Sequence, residues 1–356
     1  MNFFIFGIIW LLLIWYLYVT KPKEKLFLEL MIVLPLILFA TLRDNFRYMV
    51  DTNAYVRGFQ YFPMDFMHMK ELYLKKFVEP GFMCLEYVVK SIWDNAEFFL
   101  FVVSSFCILP LNYIFRRYSP NYVYSWILFF VCNSYFSWIC NGIRQGIAIT
   151  ILFCSIPFLL RKKYVICVLF VLLAILFHYT AVLFLPFVFL CQGKALNKYI
   201  IIFTIVILLL VYHMRDLLGL VDTGIQYLEG LNAAMEEGKG MSFIRLIISA
   251  IPFIIALPSI KRIRQINDPL VNICVNMCFA STAFYLLACF TSGILVGRIP
   301  GYFSYFTYIL IPWEIKFLFK PKMRGKVALI IAGIYFLVFI AELASKNLLF
   351  ENHLLF

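Results

Sequence analysis

The sequence predicts an all-α, polytopic membrane protein whose helical bundle contains about twelve spans, and three observations lead to this class. Hydrophobic residues make up 64% of the 356 residues and charged residues only 14%, a composition too apolar for a soluble domain. Apolar runs repeatedly reach the length of a membrane-spanning helix. Lysine and arginine occur in short clusters between these runs. The net charge of +12 is therefore a signal of topology, and no nucleic-acid partner is expected.

The first apolar run, residues 3–20, is followed by the cationic sequence Lys21-Pro-Lys-Glu-Lys25. No cationic segment precedes the run and no small-residue cleavage site follows it, so we predict a retained anchor rather than a signal peptide. The positive charge after the run places this loop in the cytoplasm and the N-terminus outside. A second span, at about residues 26–42, returns the chain to the outer face at Arg43.

A polar and aromatic segment, residues 43–95, comes next and contains no run apolar enough to cross a membrane. We predict that it is the largest extracytoplasmic segment. From Glu79-Pro-Gly-Phe82 onward its apolar residues have helical spacing, which predicts an amphipathic helix on the membrane surface. These residues are Phe82, Leu85, Val88, Val89, Ile92 and Trp93.

The remaining spans alternate in direction so that six cationic loops all face the cytoplasm, which independently supports the span count. They are predicted at about residues 96–115, 121–139, 143–160, 164–177, 180–191, 199–213, 243–260, 270–290, 301–319 and 326–344. An acidic, glycine-containing segment, residues 214–240, is predicted to be a second outer loop. Because no separate soluble domain is evident, residues 1–356 are expected to form a single integral membrane domain.

This topology places a set of polar residues in outer loops or at outer span ends, among them three arginines. An arginine at the end of a span usually has a functional reason, although an isolated one can serve as an interface anchor. Guanidinium groups bind phosphate oxygens in pairs and stay charged where lysine loses its proton. The site is therefore predicted to bind a phosphorylated, lipid-linked substrate and to stabilise a leaving diphosphate without a metal. The residues are Arg43, Asp51, Glu79, Arg144, His178 and Arg298.

The candidate acid–base groups are His178, Asp51 and Glu79. His178, at the outer end of a span, would act as a general base or orient an acceptor hydroxyl, and its alternative is a hydrogen-bonded structural role. Either carboxylate is otherwise a solvated loop charge. The chain has no Asp-x-Asp, P-loop, His-Glu-x-x-His or Gly-x-Ser-x-Gly motif, and its ten cysteines form no CxxC pair. Nucleotide-driven chemistry, a metal site and a cofactor are therefore not expected.

Six short motifs occur in order along nearly the whole chain. They are Arg43 after the second span, Asp51-Thr-Asn-Ala-Tyr55 with Phe59, Glu79-Pro-Gly-Phe82, Asn141-x-x-Arg144-Gln145 with Ala148, His178-Tyr-Thr-Ala181, and Arg298 with Tyr302 and Phe303. With these motifs the chain resembles the EpsG family of multi-spanning membrane proteins, which groups with Wzy-type O-antigen and capsular polysaccharide polymerases. One departure is Val50-Asp51-Thr52-Asn53, where the family often has Gly-x-Asp-Tyr.

The resemblance implies an outer-face glycosyltransferase with a GT-C-like fold in the bacterial cytoplasmic membrane. Its substrates would be polyprenyl-diphosphate-linked oligosaccharides, as donor and acceptor, with undecaprenyl diphosphate as the carrier. Membrane lipid and a chain-length regulator protein would be further partners, and the product an O-antigen, capsule or exopolysaccharide. The acceptor hydroxyl would attack the anomeric carbon of the donor glycan, and polyprenyl diphosphate would leave.

The same resemblance assigns roles to individual residues. The arginines would hold the diphosphates, a carboxylate or the histidine would handle the acceptor hydroxyl, and aromatic rings such as Tyr48, Tyr61 and Trp93 would face the sugars. The assigned residues are Arg43, Arg144 and Arg298 for diphosphate, His178, Asp51 and Glu79 for catalysis, and Tyr55, Asn141 and Gln145 for substrate binding.

A transporter or flippase of lipid-linked or anionic cargo is the main alternative, because it would use the arginines for binding alone. Such a protein is expected to have broken helices and charges at the bilayer midplane, whereas the charges here lie at predicted outer span ends. A membrane acyltransferase would need a histidine facing the cytosol, and both His178 and His213 are predicted on the outer side.

Overall fold

The helical class is confirmed by the computed structural model, which describes residues 3–20, 25–43, 50–76, 78–132, 134–213, 240–291, 293 and 296–345. The structure is 84% helical, and none of the described residues lies in a strand. Three predicted features fall outside the described residues: positions 21–24 of the first cationic cluster, Tyr48, and positions 214–239 of the second outer loop.

The helices follow one another with short connections. In chain order they are α1 (Phe3–Thr20), α2 (Lys25–Leu42), α3 (Val50–Gln60), α4 (Phe66–Lys76), α5 (Pro80–Ile92), α6 (Ala96–Tyr118), α7 (Tyr122–Val131), α8 (Ile143–Phe153), α9 (Ile156–Leu160), α10 (Tyr164–Ile175), α11 (Leu185–Leu190), α12 (Lys198–Tyr212), α13 (Phe243–Ala256), α14 (Ile260–Ile266), α15 (Pro269–Phe290), α16 (Gly301–Ser304), α17 (Thr307–Leu318) and α18 (Pro321–Ser345). A π-helical segment spans Tyr135–Asn141, and 3₁₀ turns span Tyr179–Phe184, Leu257–Ser259 and Val296–Arg298.

Helices long and apolar enough to cross a membrane make this a helical membrane protein. Within the described residues there are five: Ala96–Tyr118, Ile143–Leu160, Phe243–Ile266, Pro269–Phe290 and Pro321–Glu342. Shorter apolar helices occupy other predicted spans, over Phe6–Leu17, Leu26–Leu42, Tyr122–Val131, Tyr164–Ile175, Tyr179–Leu190 and Lys198–Leu210.

Several predicted spans differ from a single regular α-helix. The one at 121–139 ends as α7 at Val131 and continues as the π-helical segment, and the one at 180–191 consists of a 3₁₀ turn followed by the short α11. Irregular backbone at membrane depth requires neighbouring protein or water to satisfy its polar groups. Interrupted helices are therefore places where a site can form.

In the segment 43–95 only a final helix was predicted, and its described residues, 43, 50–76 and 78–95, contain three helices, α3 to α5. The predicted helix after Glu79 is confirmed as α5, but its buried side is not simply the apolar one. Val88, Ile92 and Trp93 are exposed, whereas the buried residues of α5 are Phe82, Met83, Glu86 and Val89. This difference arises because α5 packs against α6 and the polar site described below. The location of α5 on the membrane surface stays a prediction.

The chain forms two compact units, and the first comprises residues 1–155, 169–182 and 322–356. Its core is aromatic: the Trp10 ring stacks on Phe130 at 4.7 Å between ring centroids. The Tyr135 hydroxyl, from the π-helical segment, donates a hydrogen bond of 2.6 Å to the carbonyl of Leu36 in α2. Because that backbone carbonyl is already within a helix, the bond ties the irregular segment to a regular neighbour.

The second unit comprises residues 156–168 and 183–321. Its core contains Phe284 and Phe303, whose stacked rings are 5.6 Å apart. The side chain of Asn276 accepts a bond from the Leu196 amide and donates one to the Cys191 carbonyl, at 2.7 and 2.9 Å. Asn276 thereby fixes the connection that precedes α12.

Candidate functional site

The centre of the candidate site is Glu79, which immediately precedes α5. Pro80 disfavours a helical conformation for the residue before it and is well suited to the first position of a helix. Glu79 is accordingly extended, with φ −63° and ψ 128°, and its side chain does not cap its own helix. The carboxylate is therefore available to other elements.

Two cationic or polar side chains from distant parts of the sequence bind this carboxylate. The Nη1 of Arg144 donates a hydrogen bond to Oε2 of Glu79 in an ion pair. The Nδ1 of His178 lies 2.9 Å from Oε1. Burial by itself would raise the pKa of Glu79, but the His178 hydrogen bond and the charge of Arg144 outweigh it and lower that pKa below its usual value. Glu79 is thus a buried carboxylate that joins an arginine to a histidine.

His178 is brought to Glu79 by a close approach between the start of α5 and the end of α10. The Gly81 amide donates a 2.8 Å hydrogen bond to the carbonyl of Leu176. A Cβ atom at position 81 would lie 2.8 Å from both the Cβ and the carbonyl oxygen of Leu176. Only glycine permits this contact, which explains the residue types in the sequence Glu-Pro-Gly.

Arg144, in the first turn of α8, is surrounded by aromatic rings. Its guanidinium carbon lies 5.3 Å from the ring centre of Tyr55 and 5.9 Å from that of Phe82. Its Nε donates a 3.4 Å hydrogen bond to the Tyr55 hydroxyl. The Arg144 side chain is 30% exposed and that of His178 20%, against 5% for Glu79. Arg144 and His178 therefore form the accessible surface of a group that we call the Glu79 cluster, comprising Glu79, Arg144, His178 and Tyr55.

The π-helical segment positions both Arg144 and α3. A Cβ on Gly146 would lie 2.0 Å from the carbonyl oxygen of Trp138, so α8 approaches this segment as closely as glycine allows. At its end, Asn141 accepts a hydrogen bond from the Asp51 amide and donates one to the Asp51 carboxylate, both at 3.2 Å. These bonds hold the first turn of α3 beside Arg144, and Tyr55 lies one turn further along the same helix. π-helical segments are rare and are frequently found at functional sites.

Arg43 and Gln145 lie in the same unit but are more deeply buried than the Glu79 cluster cations. Arg43 is 5% exposed and its Nη2 donates a 3.2 Å hydrogen bond to the hydroxyl of Thr52, which in turn donates to the Cys140 carbonyl. Gln145 is 3% exposed. Arg43, at the end of α2, is thus connected through Thr52 of α3 to the π-helical segment.

Arg298 belongs to the second unit, where it is exposed at the end of the 3₁₀ turn Val296–Arg298. Tyr302 and Phe303, which follow it, are buried in the core of that unit. They support the turn rather than present a surface for a sugar ring. By contrast Tyr61 and Trp93 are exposed, and Tyr55 is half-buried beside Arg144.

Sequence reasoning did not single out Glu86 as a site residue. It lies on α5, seven residues after Glu79, and is 4% exposed. Burial raises the pKa of Glu86 to about 8, although the charges of Arg144 and Lys90 oppose this effect. Helical spacing gave no signal for it, because Glu79 is extended and precedes α5, so the two residues do not share a helix face.

Comparison with known families adds one finding. The family model described as the EpsG family matches residues 27–354, nearly the whole chain. No curated protein and no solved structure matches the chain.

Proposed function

The chain belongs to the EpsG family, a Wzy-type polymerase-like family, and from this premise we propose that it is a glycosyltransferase that polymerises lipid-linked glycan repeat units. It transfers a polyprenyl-diphosphate-linked glycan to the acceptor sugar of another lipid-linked unit, at the outer face of the bacterial cytoplasmic membrane and within a GT-C-like helical fold. The observation that carries the proposal is the single carboxylate of Glu79 bound to both Arg144 and His178. This arrangement combines a base and an anion-binding group in one place.

His178 is the proposed general base. Because its Nδ1 faces a carboxylate, Nδ1 carries the hydrogen and the neutral ring keeps its acceptor lone pair on Nε2. In the reaction the acceptor oxygen forms a bond to the anomeric carbon while the bond from that carbon to the diphosphate oxygen breaks. The hydroxyl proton passes to Nε2, and Glu79 stabilises the imidazolium that results. Glu79 then acts through His178 rather than as the base itself.

Arg144 is the proposed diphosphate-binding group. It is charged, partly exposed and held in orientation by Glu79 and the rings of Tyr55 and Phe82. A guanidinium fixed in this way stabilises the charge that develops on the leaving diphosphate without having to reorganise during the reaction. Arg298 is proposed as a further diphosphate contact, and metal independence also remains part of the proposal.

The other candidate residues have supporting roles in this proposal. Asp51 and Asn141 are bound to each other and set the position of Tyr55, which offers an aromatic surface to a sugar. Arg43 and Gln145 are buried and are proposed to support the exposed groups. Asp51 is the alternative base if His178 proves dispensable.

Transport of a lipid-linked or anionic glycan is the second candidate function. It is favoured by one observation, the interruption of the helix before Arg144 by the π-helical segment, because transporters commonly bind substrate at broken helices. A transporter would move its cargo without making a glycosidic bond.

Reconstitution separates the two functions. Purified protein in liposomes is given lipid-linked repeat units in excess EDTA, and the glycans are sized by gel electrophoresis after release from the lipid. We expect chains of several repeats from the wild type and single repeats from His178→Ala. Movement of labelled repeats across the bilayer without elongation would show that the protein is a transporter and not a polymerase. Elongation only after addition of a divalent ion would refute metal independence.

A further inference from the structure

Lys90, on α5, is a largely buried cation that the reaction proposed above does not use. Its side chain is 9% exposed, and its ammonium donates hydrogen bonds of 2.9 and 2.7 Å to the carbonyls of Phe59 and Gln60. The ammonium nitrogen also lies 5.5 Å from the centre of the Phe59 ring, and 3.5 Å from the carboxylate of Asp94, one turn further along α5. All of these contacts except the one with Asp94 are with the end of α3.

The end of α3 is a place where such a cation stabilises the helix. The last carbonyls of a helix have no partner within it, and a cation beside them also interacts favourably with the helix dipole. α3 runs only from Val50 to Gln60, which is shorter than an isolated helix needs in order to be stable in water. The position of α3 therefore depends on its bonds to other elements.

These bonds attach α3 at both ends, to the two elements that carry the Glu79 cluster. At its start, side-chain hydrogen bonds join it to the π-helical segment that precedes Arg144. At its end, Lys90 joins it to α5, which begins directly after Glu79. Tyr55 lies between the two attachments. Its hydroxyl accepts the hydrogen bond from Arg144, and its ring centre lies 5.3 Å from the guanidinium carbon.

We infer that Lys90 is a positioning residue, which binds the end of α3, keeps Tyr55 against Arg144 and thereby orients the guanidinium for the diphosphate of the substrate. The inference rests on the proposed role of Arg144. Without the Lys90 ammonium, the end of α3 keeps the packing of Phe59 on Phe99 of α6, with ring centroids 4.6 Å apart, but it loses both hydrogen bonds to α5. A small rotation of α3 then displaces Tyr55, and a displacement of about 1 Å at a positioning group is costly.

The test is a double-mutant cycle that measures the binding of polyprenyl diphosphate to the full-length protein in lipid nanodiscs. Lys90→Met keeps the length of the side chain without its donors and should raise the Kd about fivefold, a typical coupling within one hydrogen-bond network. In a Tyr55→Ala background the same change should raise the Kd by less than about a factor of two, because Lys90 acts through Tyr55. Equal factors in the two backgrounds would overturn the inference.

Two further variants separate the bonds to α3 from the other contacts of Lys90. Asp94→Asn is the matched control, because it removes the exposed ion-pair partner of Lys90 and leaves the bonds to α3 in place. It should keep the wild-type Kd. Lys90→Arg retains a charge and several donors, so it should recover most of the affinity that Lys90→Met loses. An Asp94→Asn Kd as high as that of Lys90→Met would show that the ion pair within α5 is the important contact, and the inference would be wrong.

Hydrogen–deuterium exchange tests the attachment of α3 without any substrate. The amides at the end of α3 should exchange faster in Lys90→Met than in the wild type or Asp94→Asn, because local opening becomes easier. Unchanged exchange in α3 would overturn the inference whatever the affinity. If the wild type binds no polyprenyl diphosphate, the proposed role of Arg144 fails and this inference with it. If the wild type binds the probe and the cycle is additive, the inference alone fails.

Discussion

At the scale of single residues, the site depends on one carboxylate with two different partners. Glu79 uses one oxygen for Arg144 and the other for His178, and it is buried beneath both. A buried charge of this kind is tolerated only when it is paired and hydrogen-bonded. The partners in turn lose much of their rotamer freedom, which is the condition for a precise catalytic geometry.

Arg144→Lys should lose most polymerase activity while the protein still inserts and folds. A lysine ammonium is a point charge, so it cannot bind Glu79, the Tyr55 hydroxyl and two phosphate oxygens with one planar group. We expect a fall in kcat/KM of about tenfold or more. The rate of glycan elongation by purified protein measures this fall in kcat/KM. The control is Arg57→Lys, which changes an exposed arginine on α3. Near-normal elongation by Arg144→Lys would return this residue to the role of interface anchor.

Gly81→Ala should separate Glu79 from His178. The added methyl group would lie 2.8 Å from the Leu176 backbone oxygen, so the start of α5 and the end of α10 must move apart. A displacement of about 1 Å at a catalytic group can lower the rate about a hundredfold. Gly325→Ala is the control, since nothing lies within 4 Å of a Cβ at that position. Wild-type rates for both alanine variants would show that the contact between Gly81 and Leu176 is not needed.

Glu86 should make the wild type less stable as the pH rises. The folded state keeps the proton up to a pKa of about 8, whereas the unfolded chain releases it near the ordinary value of 4.5. The folded state therefore binds more protons in this window, and its stability falls by on the order of 1.4 kcal/mol per pH unit, a loss that Glu86→Gln avoids. The difference in apparent Tm, variant minus wild type, should widen between pH 5.5 and 8.5 in detergent. A constant difference would contradict a protonated Glu86.

At the scale of secondary-structure elements, three segments build the site, and each has its own reason for its shape. α5 begins at Pro80 and carries Glu79 immediately before it. The π-helical segment ends next to Gly142, whose amide bonds to the Ser137 carbonyl at 2.7 Å. α3 is attached to the end of that segment by side-chain hydrogen bonds. The irregular elements thus bring together the side chains of the Glu79 cluster, which two continuous spans would keep apart.

Thr52→Val should loosen this attachment. The Thr52 hydroxyl donates to the Cys140 carbonyl and accepts from Arg43, and all three groups are buried. Valine has the same shape but leaves a buried donor and a buried acceptor without their partner, which costs about 1–3 kcal/mol for each. We expect a lower apparent Tm and weaker substrate binding.

The control for Thr52→Val is Thr20→Val, which removes an exposed hydroxyl that donates to the Tyr16 carbonyl of its own helix. It should leave the Tm within about 1 °C of the wild type, because exposed substitutions have small effects. Equal melting temperatures for Thr52→Val and the wild type would mean that α3 is held by its apolar contacts alone.

The elements themselves were largely predictable from sequence, because span length and apolar composition follow directly from the thickness of a bilayer. The π-helical segment was not, since hydropathy does not distinguish a π-helix from an α-helix over an apolar stretch such as 135–141. The candidate residues of the Glu79 cluster were predicted, but their pairing was not. Glu79 is 65 residues from Arg144 and 99 from His178, and pairing over such separations depends on tertiary packing. The burial of Glu86 was missed for the same reason.

At the scale of the whole molecule, charge distribution gives the chain its predicted orientation. The chain carries 31 lysines and arginines against 19 acidic residues, and the excess lies in loops that the prediction places inside. The functional proposal depends on this orientation, because lipid-linked repeat units and the Glu79 cluster must face the same side of the membrane. The family assignment covers residues 27–354 but does not itself supply the direction.

A native cysteine allows the orientation to be measured. All ten cysteines lie in the described part of the chain, and Cys84 alone among them is exposed. It is on α5, five residues after Glu79, so the side on which it is labelled is also the side of the Glu79 cluster. In intact spheroplasts, a membrane-impermeant maleimide should label the wild type and should not label Cys84→Ser.

The inner side is tested in the Cys84→Ser background. Arg161 is exposed in a cationic loop that is predicted to be cytoplasmic, and Arg161→Cys should react only after the membrane is permeabilised. Labelling of Cys84 from outside, together with protection at position 161, fits an enzyme that meets its substrates on the outer face. The opposite result would place Arg144 and His178 in the cytoplasm. A polymerase acting on the outer face would then be impossible, and the same cluster would have to serve a substrate delivered from inside.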